Sequence, residues 1–275
     1  MLAVLLDNDL MNSILELAIE AAKLAGKSIQ IAAEDISALN IEQKSLHDYV
    51  SEVDRESERI IVQKIQSEFP DHQIIGEEYG QQGSAEAEYQ WIIDPLDGTT
   101  NFLRSIPHYA VSIGVRRAGK LEHGVVFDPA KNELFAASRG QGSTLNGKPI
   151  RVAQLTSIRG ALLSTGVPFS GKNLEEIDAF TGTMTDLLKL HTSGVRRLGA
   201  AALDLAYVAA GRYDGFWEAK LKIWDIAAGI LIVNEAGGKV SDLHGEQSQF
   251  DSGNIIAANL AVHKTMLSVA TKHYS

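Results

Sequence analysis

The chain of 275 residues has no cysteine, which excludes disulfides, thiolate metal ligands and a cysteine nucleophile. It has only 6 prolines against 45% apolar residues, which excludes a collagen-like or disordered chain. No stretch approaches eighteen uncharged apolar residues, so no membrane span is expected. Met1 to Leu6 are apolar, but the run is short, lacks a basic leader and enters Asp7-Asn8-Asp9, unlike a secretory signal. Positive charge is scarce too: 25 Lys+Arg stand against 35 Asp+Glu, a net charge of −10. Phosphate neutralisation needs clustered cations, and Arg116-Arg117 and Arg196-Arg197 are isolated pairs, so broad nucleic-acid binding is not indicated. The expected location is the cytoplasm, where the absence of cysteine is unremarked by redox conditions.

Length allows a sizeable core. Area scaling gives a folded surface of roughly 11,600 Å² against roughly 43,000 Å² unfolded, consistent with one large domain or two intimate ones. Ile14, Leu17, Ala18, Ala21, Leu24 and Ala25 recur at helical spacing and predict a helix over residues 10–34. A second helix is expected from Ser51, carrying Val53, Ile60, Ile61 and Ile65 to Phe69-Pro70. The middle changes character: Trp91 to Ile93, Tyr109 to Val115, Leu121 to Phe127 and Leu134 to Ala137 are short β-prone runs, with Asn146-Gly147 as a hairpin turn. Beyond residue 174 the runs Leu174 to Leu190, Gly199 to Ala210 and Trp224 to Ala236 predict helices. Tyr213 to Glu218 and Asn254 to Ala257 predict strands. This is the pattern of a layered α/β fold. No internal repeat is present, and Thr165 to Lys172 is the only junction-like stretch between an N-terminal half, 1–155, and a C-terminal half, 156–275, of one compact unit.

The most informative segment is WIIDPLDGTTNF, Trp91 to Phe102. An apolar strand delivers Asp94, Pro95 constrains the turn and Asp97 follows three residues later, so two carboxylates can converge beyond the strand's end. Their repulsion is relieved by hard divalent cations such as Mg²⁺, which prefer oxygen ligands and keep waters that a phosphate can replace. Gly98, Thr99 and Thr100 look like a helix start, whose N–H groups and dipole suit an anion. Taken alone, Asp-Pro and Asp-Gly equally describe an Asx turn and helix cap. Two more acidic sites shift the balance: Gly76-Glu77-Glu78 after Ile74-Ile75, and Trp224-Asp225 before an apolar helix. Singly, these read as a solvated loop and a helix-start acid.

Together these stretches resemble the inositol monophosphatase family within the lithium-sensitive, Mg²⁺-dependent phosphatases. The motifs are Gly76-Glu77-Glu78, Asp94-Pro95-Leu96-Asp97-Gly98-Thr99-Thr100-Asn101-Phe102, Trp224 to Gly229, and Glu235-Ala236-Gly237-Gly238; weaker agreement runs from about 12 to 260. The resemblance implies an αβαβα sandwich, a homodimer and a small phosphate monoester as substrate. It implies two to three Mg²⁺ ions: one on Glu77, Asp94 and the Leu96 carbonyl, a second on Asp94, Asp97 and Asp225, and a looser third touching Glu77. Most ligands thus fall in the first half, and Asp225 with Glu218 in the second. Thr99 would orient the attacking water and Asp54 would accept the threonine's proton, although Ser51-Glu52-Val53-Asp54 also has the form of a capping box. Gly98 and Thr99 N–H groups would take phosphate, with Lys44 nearby. Glu218 and the Ala201 backbone would meet a polyol, while Lys220 and Lys222 depart from the family pattern.

The implied reaction is hydrolysis of myo-inositol 1-phosphate. Related substrates are fructose 1,6-bisphosphate, histidinol phosphate and 3′-phosphoadenosine 5′-phosphate, and Thr100-Asn101-Phe102 with Glu218 favours the inositol branch. A role as partner of the transcription or RNA-processing machinery, as some bacterial members play, is the alternative of a different class. The eight histidines show no ligand spacing, and Ser164-Thr165-Gly166 is not a nucleophile elbow.

Overall fold

The computed structural model describes residues 2–36, 41–45, 48–168 and 174–274, with side chains at 10–36, 52–168 and 175–274. The first helix, α1 (Leu2–Ala32), starts earlier than its apolar spacing predicts. Its buried stripe is Ile14, Ala18, Ala22, Ala25 and Ile29, flanked by Leu17 and Ala21, whereas Leu24 falls off this stripe and is exposed. A hairpin, β1 (Ile41–Ser45) and β2 (Asp48–Ser51), leads into α2 (Glu52–Glu68), which stops ahead of Pro70.

The next strands are β3 (Gln73–Gly76), β4 (Gly80–Gln82), β5 (Tyr89–Asp97), β6 (Ala110–Arg117), β7 (Lys120–Asp128), β8 (Glu133–Ser138), β9 (Gly142–Leu145) and β10 (Lys148–Ile150). They form one sheet in the order β10-β9-β8-β7-β6-β5-β3-β4. The short helix α3 (Thr99–Leu103) interrupts it after β5. Asn146 and Gly147, both at positive φ, turn β9 into β10 as their sequence predicts. A second sheet follows the order β12-β11-β13-β15-β14, from β11 (Leu162–Thr165), β12 (Gly194–Arg196), β13 (Gly215–Glu218), β14 (Lys239–Ser241) and β15 (Ile255–Ala258). The remaining helices are α4 (Ile177–Lys189), α5 (Ala201–Ala209), α6 (Ile223–Glu235), α7 (Gln249–Ser252) and α8 (Leu260–Ala270).

Layering follows from which faces are apolar. Helices α1 and α2 cover one face of the larger sheet; α5 and α6 cover the other and touch the second sheet beyond; α4 and α8 close the outside. The chain is therefore an αβαβα sandwich. Helices α5 and α6 are buried nearly all round because they lie between two sheets, and this layer holds the largest core cluster, joining Ile92 and Val126 to Leu205, Ile226 and Ala257. The exposed surface is 12442 Å².

Candidate active site

The site forms where parallel strands end together. Strand β3 runs parallel to β5 with Gly76 beside Ile93, which brings Glu77, next in line, alongside Asp94. The Glu77 N–H donates to the Ile93 carbonyl at 3.2 Å. Strand β5 pairs with antiparallel β6 through Asp94 opposite Ser112 and Asp97 opposite Ala110, with a register shift between them. The two aspartates thus sit on a bulged strand end containing Pro95, not beyond the strand.

Asp225 arrives from the opposite layer. The Ser112 hydroxyl, buried between the sheet and α6, donates to the Trp224 carbonyl at 3.3 Å and so brings the start of α6 to the strand position facing Asp94. Helix α6 begins at Ile223, so Asp225 lies inside its first turn, where one carboxylate oxygen accepts the Lys222 N–H at 2.6 Å. The capping reading of Asp225 therefore holds alongside any ligand role. Asp97 accepts the Ala202 N–H at 2.7 Å, joining the sheet to α5. Asn101 completes the link: its amide donates to the His108 and Leu198 carbonyls, both at 2.8 Å, and sets the chain before Ala201 against α3.

Thr99 donates its hydroxyl towards Asp54 Oδ1 at 2.9 Å and lies 3.1 Å from the Leu96 carbonyl. Asp54 is 1% exposed, so the two residues meet although 45 positions apart. Gly98 precedes α3 at φ 93°, a left-handed conformation that glycine adopts without strain. With only five residues, α3 carries little dipole, so an anion here would rely on N–H groups rather than the helix field expected from the sequence. Glu218 ends β13, beside β11, and packs against Gly166. A cavity of about 10 Å³, room for one water, lies against it between Phe180 and Tyr274. Lys44 lies on β1 and Ser51 on β2, but their side chains, like His47 and residues 169–173, lie outside the described residues.

The electrostatics are those of crowded acid. Burial holds the Asp94 carboxyl well above its ordinary range, and Glu77, Asp97 and Asp225 push it further. Asp97 is raised by burial and by Asp225, against the Ala202 N–H. Glu218 is pushed up to about 8 by burial, Asp204 and Asp225. Among the described residues, the charges that act on Asp94 are the carboxylates of Glu77, Asp97 and Asp225. Hard oxygen donors in a buried, cation-poor spot fit divalent Mg²⁺, whose charge would reverse these shifts. Among the described residues no three acids or histidines stand close enough together to hold an ion as they are.

Sequence reasoning missed Ser112, a polar residue inside the apolar run of β6, and Asp204, a lone acid in the apolar helix α5. Their signal was polarity where apolar residues are the rule. Ser164 lies on β11, fully buried, with no elbow. His123 and His263 are buried against the Ser138 and Ser241 hydroxyls, and His72 stacks between Phe69 and Tyr89.

A family model described as the inositol monophosphatase family matches residues 10–274. The chain belongs to that family. Among curated relatives, Nus factor SuhB of Pseudomonas aeruginosa is 47% identical, with 96% of this chain and 97% of the relative aligned; Nus factor SuhB of Escherichia coli is 45% identical over 94% and 96%. Solved structures agree in fold. Extragenic suppressor protein suhB from Bartonella henselae superposes with a TM-score of 0.90 at 39% identity, covering 94% of this chain and 99% of that one. The inositol monophosphatase of Anabaena has a TM-score of 0.81 at 35% identity over 95% and 96%. Membership supports a phosphatase, and among the described residues no helix is long and apolar enough to cross a membrane.

Proposed function

We propose that the protein is a Mg²⁺-dependent phosphomonoesterase acting on myo-inositol 1-phosphate and related polyol phosphates. The observation that carries this reading is the approach of Glu77 from the turn after β3, Asp94 and Asp97 from β5 and Asp225 from α6 to within range of each other's charges. Glu77, Asp94 and the Leu96 carbonyl would hold one ion, Asp94, Asp97 and Asp225 a second, with a third near Glu77. When bound, Mg²⁺ supplies a water of lowered pKa and neutralises charge on the leaving oxygen.

The chain's own residues do the rest. Thr99 directs its proton to Asp54, which leaves its oxygen lone pairs to accept from, and so orient, an attacking water. Gly98 and Thr99 N–H groups face the phosphate. Ala202, by bonding Asp97, fixes the Ala201 backbone next to that carboxylate. Glu218 accepts from substrate hydroxyls, and Lys44 lends charge to the phosphate. We also propose a cytoplasmic homodimer; Ile106 and Leu198, exposed on segments that Asn101 ties together, suit self-association and size-exclusion chromatography tests it.

The test is phosphate release from inositol 1-phosphate, fructose 1,6-bisphosphate, histidinol phosphate and 3′-phosphoadenosine 5′-phosphate, with Mg²⁺, EDTA, or Mg²⁺ plus Li⁺. A dominant kcat/KM for inositol 1-phosphate, abolished by EDTA, is expected. No turnover on any substrate would overturn the proposal. The relatives called Nus factor favour a second reading, a transcription partner with secondary catalysis. Equal capture of RNA polymerase by wild type and Asp97→Ala would support it.

A further inference from the structure

The start of α2 presents three polar side chains on one face, Asp54, Ser57 and Glu58, at the i, i+3 and i+4 spacing that places side chains side by side. None is solvated: Asp54 is 1% exposed, Ser57 and Glu58 are 0% exposed. Each engages a different part of the site. Asp54 accepts from Thr99. Ser57 donates to the Pro95 carbonyl at 2.8 Å, gripping the bulge between Asp94 and Asp97. Glu58 accepts two consecutive backbone N–H groups, Glu78 at 2.7 Å on one carboxylate oxygen and Tyr79 at 3.0 Å on the other.

Those N–H groups follow Glu77 directly. The residue before it obeys the same constraint: a side chain on Gly76 would put its Cβ 2.0 Å from Glu58 Oε1, so any larger residue there would displace the carboxylate from its N–H partners. The chain from Gly76 to Tyr79 therefore wraps around the Glu58 carboxylate, while the Glu77 N–H is pinned to Ile93. Burying a carboxylate is costly unless hydrogen bonds satisfy it, and an apolar residue would pack here more cheaply. Bonds to consecutive amides are what a carboxylate offers and an apolar residue cannot.

We propose that Glu58, seconded by Ser57, is a positioning residue for the metal centre: it fixes the Gly76–Tyr79 turn so that Glu77 meets Asp94, without itself being a ligand. This rests on the metal-dependent reading above. Groups that orient metal ligands typically change affinity tenfold to a hundredfold when lost. Glu58→Gln keeps size but replaces one acceptor oxygen by a donor facing an N–H.

Mn²⁺ serves as the probe, its free ion quantified by electron paramagnetic resonance while the purified protein is titrated without substrate. Wild type, Glu58→Gln, Ser57→Ala, the ligand variant Asp97→Asn and the exposed control Arg59→Ala are compared. Expected are a Mn²⁺ Kd raised about tenfold to a hundredfold in Glu58→Gln, about threefold to tenfold in Ser57→Ala, and unchanged in Arg59→Ala. A folded Glu58→Gln with wild-type Mn²⁺ affinity, whatever its melting temperature, overturns the proposal. Should Glu58→Gln fail to fold, wild-type affinity in Ser57→Ala does so. Failure of wild type to bind Mn²⁺ would instead reject the metal-dependent function itself.

Discussion

Two walls of the site solve the same problem differently. On the wall built by α2, β3 and β5, buried polar groups are closed in hydrogen bonds: Asp54 to Thr99, Ser57 to Pro95, Glu58 to the turn after Glu77. On the wall built by α5, β11 and β13, Asp204 is 1% exposed yet its Oδ1 has no hydrogen-bond partner, nor has the Ser164 hydroxyl beside it. Satisfied networks fix geometry; unsatisfied groups in a low-dielectric interior shed charge instead. The first wall is therefore the one that fixes the geometry of its acids, and the second the one that favours a neutral acid; on the proposed function these are the ion side and the polyol side.

The largest effect should come from Asp97 and Asp225, the proposed metal ligands that bridge the walls. Asp97→Asn and Asp225→Asn each keep the side chain's size and remove charge, so turnover with Mg²⁺ should fall by at least about a hundredfold while circular dichroism stays unchanged. Wild-type rates in either variant would remove these residues from the metal centre.

Acid should expose how the two sheets are coupled. His123 on the larger sheet and His263 against the smaller one are both lowered to about 4 from 6.5 by burial. Since the folded values lie below the unfolded one, the unfolded chain binds protons first as pH falls. The stability gained by keeping each ring neutral is complete above about 6.5 and is lost as pH falls towards about 4, up to about 3 kcal/mol per ring. Urea unfolding at several pH values should show this decline, and His123→Gln or His263→Gln should flatten it. Flattening in one variant alone would mean that one sheet opens before the other; a pH-independent wild type between pH 4.5 and 7 would refute the assignment.

Glu218→Gln probes the second wall directly. Replacing an acceptor oxygen for substrate hydroxyls by an amide donor should raise KM for a polyol phosphate about tenfold, with kcat and inhibition by inorganic phosphate little altered. An equal fall in kcat would move Glu218 from substrate binding to the ion set.

Much of the first wall was legible in the sequence, because its acids sit in contiguous motifs at strand ends, where turn chemistry and acid spacing show through. The strands β5 to β8 and helices α5 and α6 were equally legible from their apolar runs. The short strands β1, β2, β11, β12 and β14 were not, since three to five residues carry too little periodicity and their pairing is set by distant partners; the helix α8, Leu260–Ala270, was missed as well. The same reasoning hid the supports. In α2 the apolar residues Val53, Ile61 and Ile65 mark the buried face, but Ser57 and Glu58 on that face look like solvated positions until the loops they bind are seen. Ile60, expected in the core, is only half-buried.

Asp204 offers the smallest but most discriminating test of the contrast. Burial, with Asp97 adding repulsion, raises its carboxyl well above 3.8, while the Ser164 hydroxyl, near it but not in hydrogen-bonding geometry, and Arg197 pull the other way. A raised folded value means the folded protein keeps the proton longer than the unfolded chain. Its contribution is thus favourable at low pH and is lost as pH rises above about 3.8. Asparagine resembles the protonated acid in shape, cannot ionise, and places an amide where the unpartnered Ser164 oxygen can accept. In EDTA at pH 7.5, Asp204→Asn should therefore melt about 2–4 °C higher than wild type, the change expected for about 1 kcal/mol in a chain of this size. The difference should shrink as pH falls and vanish near about pH 3, below the unfolded value, where wild type is protonated in both states. A lower melting temperature at pH 7.5 would mean that the carboxylate is ionised and held by a partner, and the second wall would then be as firmly bonded as the first.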